Sequence, residues 1–190
     1  MPTSTASAVE LLGRAVDYTR SSLALVDDDA LAAPTPCAAW DLRTLLVHMD
    51  DALQAFGDAA GVGYVGLAPR PPDVPGEARW LVETLRARAC SLLTTWSTTR
   101  RAEVLVGDAW LGMPMVAAAG ALEIAVHGWD VARACGQDRR LPPRLAVELY
   151  DVALDLVADA DRPGRFAGPL VPASLTDPGV VLLAHLGRSG

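Results

Sequence analysis

Apolar residues in this chain recur at helical spacing in one segment after another and almost nowhere alternate as in a half-buried strand, which restricts the fold to packed helices. Val9, Leu12, Val16, Leu23 and Val26 place a first helix at about residues 5–26, ended by the acidic run 27–29 and the Pro-containing stretch 34–37. Asp41 suits an N-cap, and Leu42, Leu45, Leu46, Met49, Leu53 and Phe56 form one stripe on a second helix, with His48 beside it. Trp80, Leu81, Leu85, Leu92 and Trp96 mark a third helix at about 77–96. Pro114 suits the first turn of a fourth helix and Gly136 its stop. A fifth helix starts near Pro142 or Pro143 and runs to about Asp159. The tail is irregular until Asp177 and Pro178, which can cap and open a short last helix. The expected fold class is all-α: a four-helix bundle with an additional C-terminal helix and an irregular tail. One domain covers 1–190, with its core at about 5–160 and its tail at 161–190.

Two segments interrupt the helical pattern. Residues 57–76 are so rich in Gly and Pro that neither helix nor strand is expected there, and residues 97–113 read as a connector with a short extended piece at "EVLVG". Both are candidates for the walls of a pocket, because long loops in compact domains are often functional.

At 190 residues and 51% hydrophobic, the chain is long enough for one well-buried core. Its net charge of -7 argues against a nucleic-acid backbone as partner, since that binding needs a concentrated basic surface. Cys37, Cys90 and Cys135 lack C-x-x-C spacing, which disfavours a disulfide framework and a Cys-rich zinc site and points to a reducing cytoplasm. The N-terminus has no basic start followed by an apolar core, and the longest apolar run, about 109–122, is too short to span a bilayer. A soluble cytoplasmic protein is expected. Every basic residue is Arg, Lys and Asn are absent, and Ile124 is the sole Ile, as in a genome that avoids A- and T-rich codons.

Chemistry concentrates in "ALEIAVHGWDVARACG", residues 121–136, where Glu123 and His127 share one helix face a turn apart amid small apolar residues. A buried carboxylate without a partner is costly, so Glu123 calls for a cation or a donor. With His48 from the second helix, two imidazoles and one carboxylate form a catalytic zinc set with an open position. A plain Glu123–His127 hydrogen bond answers the same cost without an ion, and both readings stand on the residues alone. Asp130, one turn after His127, can orient that ligand as an acceptor or pair with Arg133. A dinuclear carboxylate site needs Glu-x-x-His on two helices and two further Glu ligands, a pattern absent here, and H-E-x-x-H is absent too. Asp41 is explained as a cap, Trp40 as a packing anchor and Cys37 as a packed thiol, and His185 is placed on the tail surface.

"TPCAAWDLRTLLVHM" (35–49) resembles the Thr-Pro-Cys-x-x-Trp-Asp-x-x-x-Leu-x-x-His block of the mycothiol-dependent maleylpyruvate isomerase family, a branch of the DinB-like metal-binding bundles. "EIAVHGWDVARACG" is similar to that family's Glu-x-x-x-His-x-x-Asp-Leu-Ala block, and "FAGPLVP" and "LLAHLGR" resemble a short actinobacterial subfamily. The resemblance implies a DinB-like bundle in which His48, Glu123 and His127 hold one divalent ion, zinc first, with Ni, Mn or Fe as alternatives. It implies mycothiol as co-substrate and a small electrophile as the second partner, with no catalytic residue beyond the metal site. A homodimer is compatible with it. The family's isomerase carries a further C-terminal domain where here only residues 137–190 follow, so a thiol S-transferase is expected before the cis–trans isomerase. A metal-binding protein without turnover and a purely structural bundle are the alternatives from other classes.

Overall fold

The computed structural model describes residues 4–37, 39–66, 77–162 and 166–190. Its long helices are α1 (Thr5–Ser22), α2 (Leu42–Gly61), α3 (Ala78–Thr98) and α4 (Met113–Ala134), followed by α5 (Pro143–Leu156) and the short α6 (Pro178–His185). The first four close a ring in which α1 packs on α4, α4 on α2, α2 on α3, and α3 back on α1. Helix α5 leans on α4 and α1, and α6 rests on α5. The fold is the helical bundle expected from the periodicity.

Local signals act where the sequence put them. Asp41 caps α2 by accepting the Thr44 N–H at 2.8 Å, Asp177 caps α6 by accepting from Gly179 and Val180, and Pro178 opens that helix. Pro114 lies in the first turn of α4, and Gly136 follows its end with φ +71°. The first helix is shorter than expected: its α-helical part stops at Ser22, and Leu23–Leu25 tighten into a 3-10 turn.

Helix α4 is the spine. It is long and apolar enough to cross a membrane by length and composition, which corrects the expectation that no run here suffices. Its most apolar stretch is 83% buried within the bundle, the environment of a core helix. Small residues let α1 approach closely: the Thr19 hydroxyl donates to the Ile124 carbonyl at 2.7 Å, and a Cβ on Gly128 would lie 2.9 Å from the Thr19 Cβ.

The loop expectations need correction. Helix α2 continues through Gly57 to Gly61, because residues 58–60 still offer helix formers and Ala59 and Ala60 are buried. Tyr64–Val65 (β1) then pairs in parallel with Glu103–Val106 (β2), which pairs antiparallel with Ala109–Gly112 (β3). The extended piece at "EVLVG" is thus one arm of a hairpin in a three-stranded sheet. Residues 67–76 of the expected loop lie outside the described residues.

Candidate metal centre

The loop before α2 is held by its own hydrogen bonds. Thr35 N–H donates to the Trp40 carbonyl at 3.2 Å, Trp40 N–H to the Cys37 carbonyl at 2.8 Å, and Leu42 N–H to the Ala33 carbonyl at 2.9 Å. The Thr35 hydroxyl donates to the Trp40 carbonyl and accepts from Cys37 N–H. These bonds fix Cys37 and Trp40 just upstream of the helix that carries His48. The Trp40 ring lies 4.7 Å from the His48 ring and 6.3 Å from that of His127, so the expected packing anchor packs on the site itself.

Helix α2 supplies His48, and one face of α4 supplies Glu123 and His127. The Glu123 Oε1 is 2.6 Å from His48 Nε2 and 3.1 Å from His127 Nε2, and one donor atom from each of the three lies within 4.8 Å of the others. Their exposures differ: the His48 side chain is 36% exposed and Glu123 30%, whereas His127 is 9%. On its other edge the His127 Nδ1 donates to Asp130 Oδ2 at 2.9 Å. That bond keeps the Nδ1 proton in place and points Nε2 at Glu123.

Asp130 is wholly buried, and its cation is Arg188, 58 residues away in the tail, rather than Arg133, which turns to Asp138. The Arg188 Nε donates to Oδ1 at 2.9 Å and Nη2 to Oδ2 at 2.8 Å. The Cys37 thiol completes the cluster, 3.3 Å from Arg188 Nη2 and 3.5 Å from Asp130 Oδ2. Arg188 is the residue that sequence reasoning missed, since nothing local marks a tail arginine as a partner for a helix carboxylate. Cys37, expected as a packed thiol, touches charged groups. His185 leaves the surface too: it sits at the end of α6, half-buried, with its ring 5.6 Å from that of Tyr150.

Electrostatics follow from this arrangement. Burial pushes the Glu123 carboxyl up, but the adjacent imidazoles of His127 and His48 outweigh it and hold Glu123 well below the usual carboxylate range. Burial pushes His127 down, while Glu123 and Asp130 carry it well above the ordinary imidazole value. Asp130 is lowered against its own burial by the hydrogen bonds from His127 and Arg188.

The donor set fits a divalent ion. Two imidazole nitrogens and a carboxylate oxygen suit zinc and its neighbours, and ligands of a tetrahedral ion sit about 3.3 Å apart given bonds of about 2.0–2.1 Å. The Glu123 oxygen lies inside that separation from each imidazole, the two imidazole donors lie within 4.8 Å of one another, and the acceptor behind His127 is the kind of partner metal-bound imidazoles use. Cys37, His127 and Asp130 also form a close group, but the His127 Nδ1 and the Asp130 carboxylate are already bound to each other and to Arg188.

A cavity of about 220 Å³ opens beside Glu123 between α1, α2, α3 and α4. Val16, Leu53, Leu85 and Leu93 make it apolar, and the exposed Arg20 and Arg86 border it. Of the walls expected from 57–76 and 97–113, the described residues do not line it; helices do.

Fold and donors together define a helical bundle with a His₂–Glu cluster on two of its core helices. Residues 12–132 match the family described as the mycothiol maleylpyruvate isomerase N-terminal domain, and the chain belongs to that family. Two uncharacterized proteins of Mycobacterium tuberculosis strains are each 30% identical to it over 186 residues, covering 93% of this chain and 94% of theirs. Among solved structures, a crystal structure of a mycothiol-dependent maleylpyruvate isomerase with one histidine replaced by alanine superposes with a TM-score of 0.58 at 15% identity. That match covers 82% of this chain and 67% of the isomerase, and it supports the shared helical fold.

Proposed function

We propose that the protein is a metal-dependent enzyme that uses mycothiol as co-substrate and transfers the thiol to a small electrophile. The observation that carries this reading is the convergence of His48, Glu123 and His127 beside an apolar cavity. Family membership supplies the thiol. A divalent ion at these donors, zinc in the first place, supplies the positive charge that stabilises thiolate over thiol at neutral pH.

The protein's own residues divide the remaining work. Asp130 holds the Nδ1 proton of His127, so that Nε2 is the free donor. Glu123 brings a negative charge that offsets that of a cation in a half-buried place. Val16, Leu53, Leu85 and Leu93 exclude water from the space beside Glu123, where the electrophile would sit. In the transfer, the thiol proton passes to solvent, sulfur forms a bond to the electrophilic carbon, and the leaving group departs with its electron pair. A cis–trans isomerase begins with the same sulfur–carbon bond and then reverses it. The three free cysteines suit a reducing cytoplasm, where we place the reaction.

The test is calorimetric. Mycothiol added to zinc-loaded protein should bind with release of one proton, counted in buffers of different ionisation enthalpy, and cobalt-substituted protein should develop a thiolate-to-metal band. Metal-loaded protein that gives neither signal at millimolar mycothiol would exclude the thiol reading and leave a metal-binding protein without turnover.

A further inference from the structure

We propose that Arg188, in the C-terminal tail, is a positioning residue for the candidate metal centre: it fixes the plane of Asp130, which in turn aims His127 at the position between His48 and Glu123. The proposal deepens the metal reading above and rests on it for its first readout.

The geometry is that of a clamp. Arg188 is 11% exposed and Asp130 fully buried, so neither can turn to water for a substitute partner. Guanidinium and carboxylate meet through both Nε and Nη2, a two-point contact that leaves the carboxylate little freedom to rotate. Asp130 Oδ2, one of the two oxygens so held, is the atom that accepts the His127 Nδ1 proton. The Arg188 Nη2 also donates to the Cys37 sulfur, which ties the clamp to the loop that carries Trp40.

The backbone of the tail is built to deliver this side chain. Arg188 N–H donates to the Leu183 carbonyl at 2.8 Å and Gly187 N–H to the Ala184 carbonyl at 3.0 Å, which folds the chain back after α6. Gly187 adopts φ +77°, a conformation that favours glycine, and a Cβ there would lie 2.9 Å from the Gly168 carbonyl oxygen. The segment after α6 is therefore turned inward onto α4, 58 residues upstream. An exposed salt bridge would serve to hold a tail down. A buried two-point contact on the acceptor of a candidate ligand does more than that.

Zinc affinity, measured by competition with a chromophoric chelator, separates positioning from mere tail docking. Arg188→Ala should keep the helical circular dichroism and weaken zinc about 10–100-fold, the range for loss of a partner behind a metal-bound His. Arg188→Lys, which keeps the charge but loses the fork, should recover part of that loss. Gly187→Ala changes no charge and should weaken zinc in the same direction by displacing the clamp. Arg14→Ala, which removes the Arg14–Glu148 bridge between α1 and α5, should leave zinc affinity unchanged.

A second readout needs no metal. The His127 Nδ1 proton should give a protected, low-field NMR resonance in the wild type that broadens or exchanges rapidly in Arg188→Ala. Unchanged zinc affinity and unchanged His127 exchange in folded Arg188→Ala overturn the proposal, even if the variant melts earlier. If the wild type binds no zinc, the metal reading fails, and the His127 resonance alone decides the positioning role. Should Arg188→Ala not fold, Arg188→Lys and Gly187→Ala carry the same measurements.

Discussion

His48 and His127 face the same carboxylate oxygen, yet they are held in different ways. His48 stands on α2 with over a third of its side chain exposed, and its described neighbours are Glu123 and the rings of Trp40 and His127. His127 is enclosed on α4, with Glu123 on one ring nitrogen and the Asp130–Arg188 pair on the other. The site therefore has a rigid half and an adaptable half. The rigid half belongs to the fold, because removing its partners leaves buried charge, whereas the adaptable half can relax toward solvent.

Asp130 is where the rigid half is most exposed to damage. Replacing it by Ala strands Arg188 and one edge of His127 in the interior, so Asp130→Ala should cost about 3–5 kcal/mol of stability in urea denaturation. His48→Ala, which removes a partly exposed pair, should cost under about 1 kcal/mol. Equal costs for the two variants would show that the halves do not differ as described.

Gly128→Ala tests the rigid half without touching a donor. The added methyl group meets Thr19, on which α4 is seated, and overpacking there should cost about 1–3 kcal/mol. If zinc affinity falls along with stability, the α1 contact sets the register of Glu123 and His127.

The two halves also respond to pH. In metal-free protein His127 is raised, so its contribution to stability is complete below about pH 6.5 and is lost as pH climbs through its folded value. Glu123 and Asp130 are lowered, so theirs is complete above about pH 4.3 and is lost as pH falls through their folded values. All three contributions coexist between about pH 4.3 and 6.5. Under the proposed metal reading, zinc would instead compete with the proton on His127 Nε2, and its affinity should rise about tenfold per pH unit until that imidazole is neutral. A chelator titration at several pH values checks this; a flat profile would place His127 outside the ligand set.

The smallest effect belongs to the adaptable half. Trp40→Leu keeps apolar bulk beside His48 but removes the ring contact, worth about 0.5–1.5 kcal/mol. Zinc affinity should fall by a correspondingly modest factor, with the His127 Nδ1 proton unaffected. A large loss would mean that Trp40 orients His48 as firmly as Asp130 orients His127.

Much of this molecule was legible in its residues. The helices of the bundle, the Asp41 cap, the Pro114 and Gly136 boundaries of α4 and the Asp177–Pro178 start of α6 follow from periodicity and terminal chemistry, which act within a turn or two of chain. The pairing of Glu123 with His127 follows from a four-residue spacing on one helix. The three-stranded sheet and the reach of α2 to Gly61 escaped the same reading, because strand pairing between 64–65 and 103–106 and burial of Ala59 and Ala60 are decided by neighbours distant in sequence.

Residues alone therefore set the candidate donors and the helices that carry them, since a helix fixes which of its residues share a face. Tertiary structure alone decided that His48 meets that face, that the cavity beside Glu123 is walled by helices, and that Arg188 rather than Arg133 answers Asp130. The physical reason is one of range. Backbone geometry dictates contacts over three or four residues, whereas a charge buried in the interior takes whichever opposite charge the packed chain delivers, from any distance along the sequence.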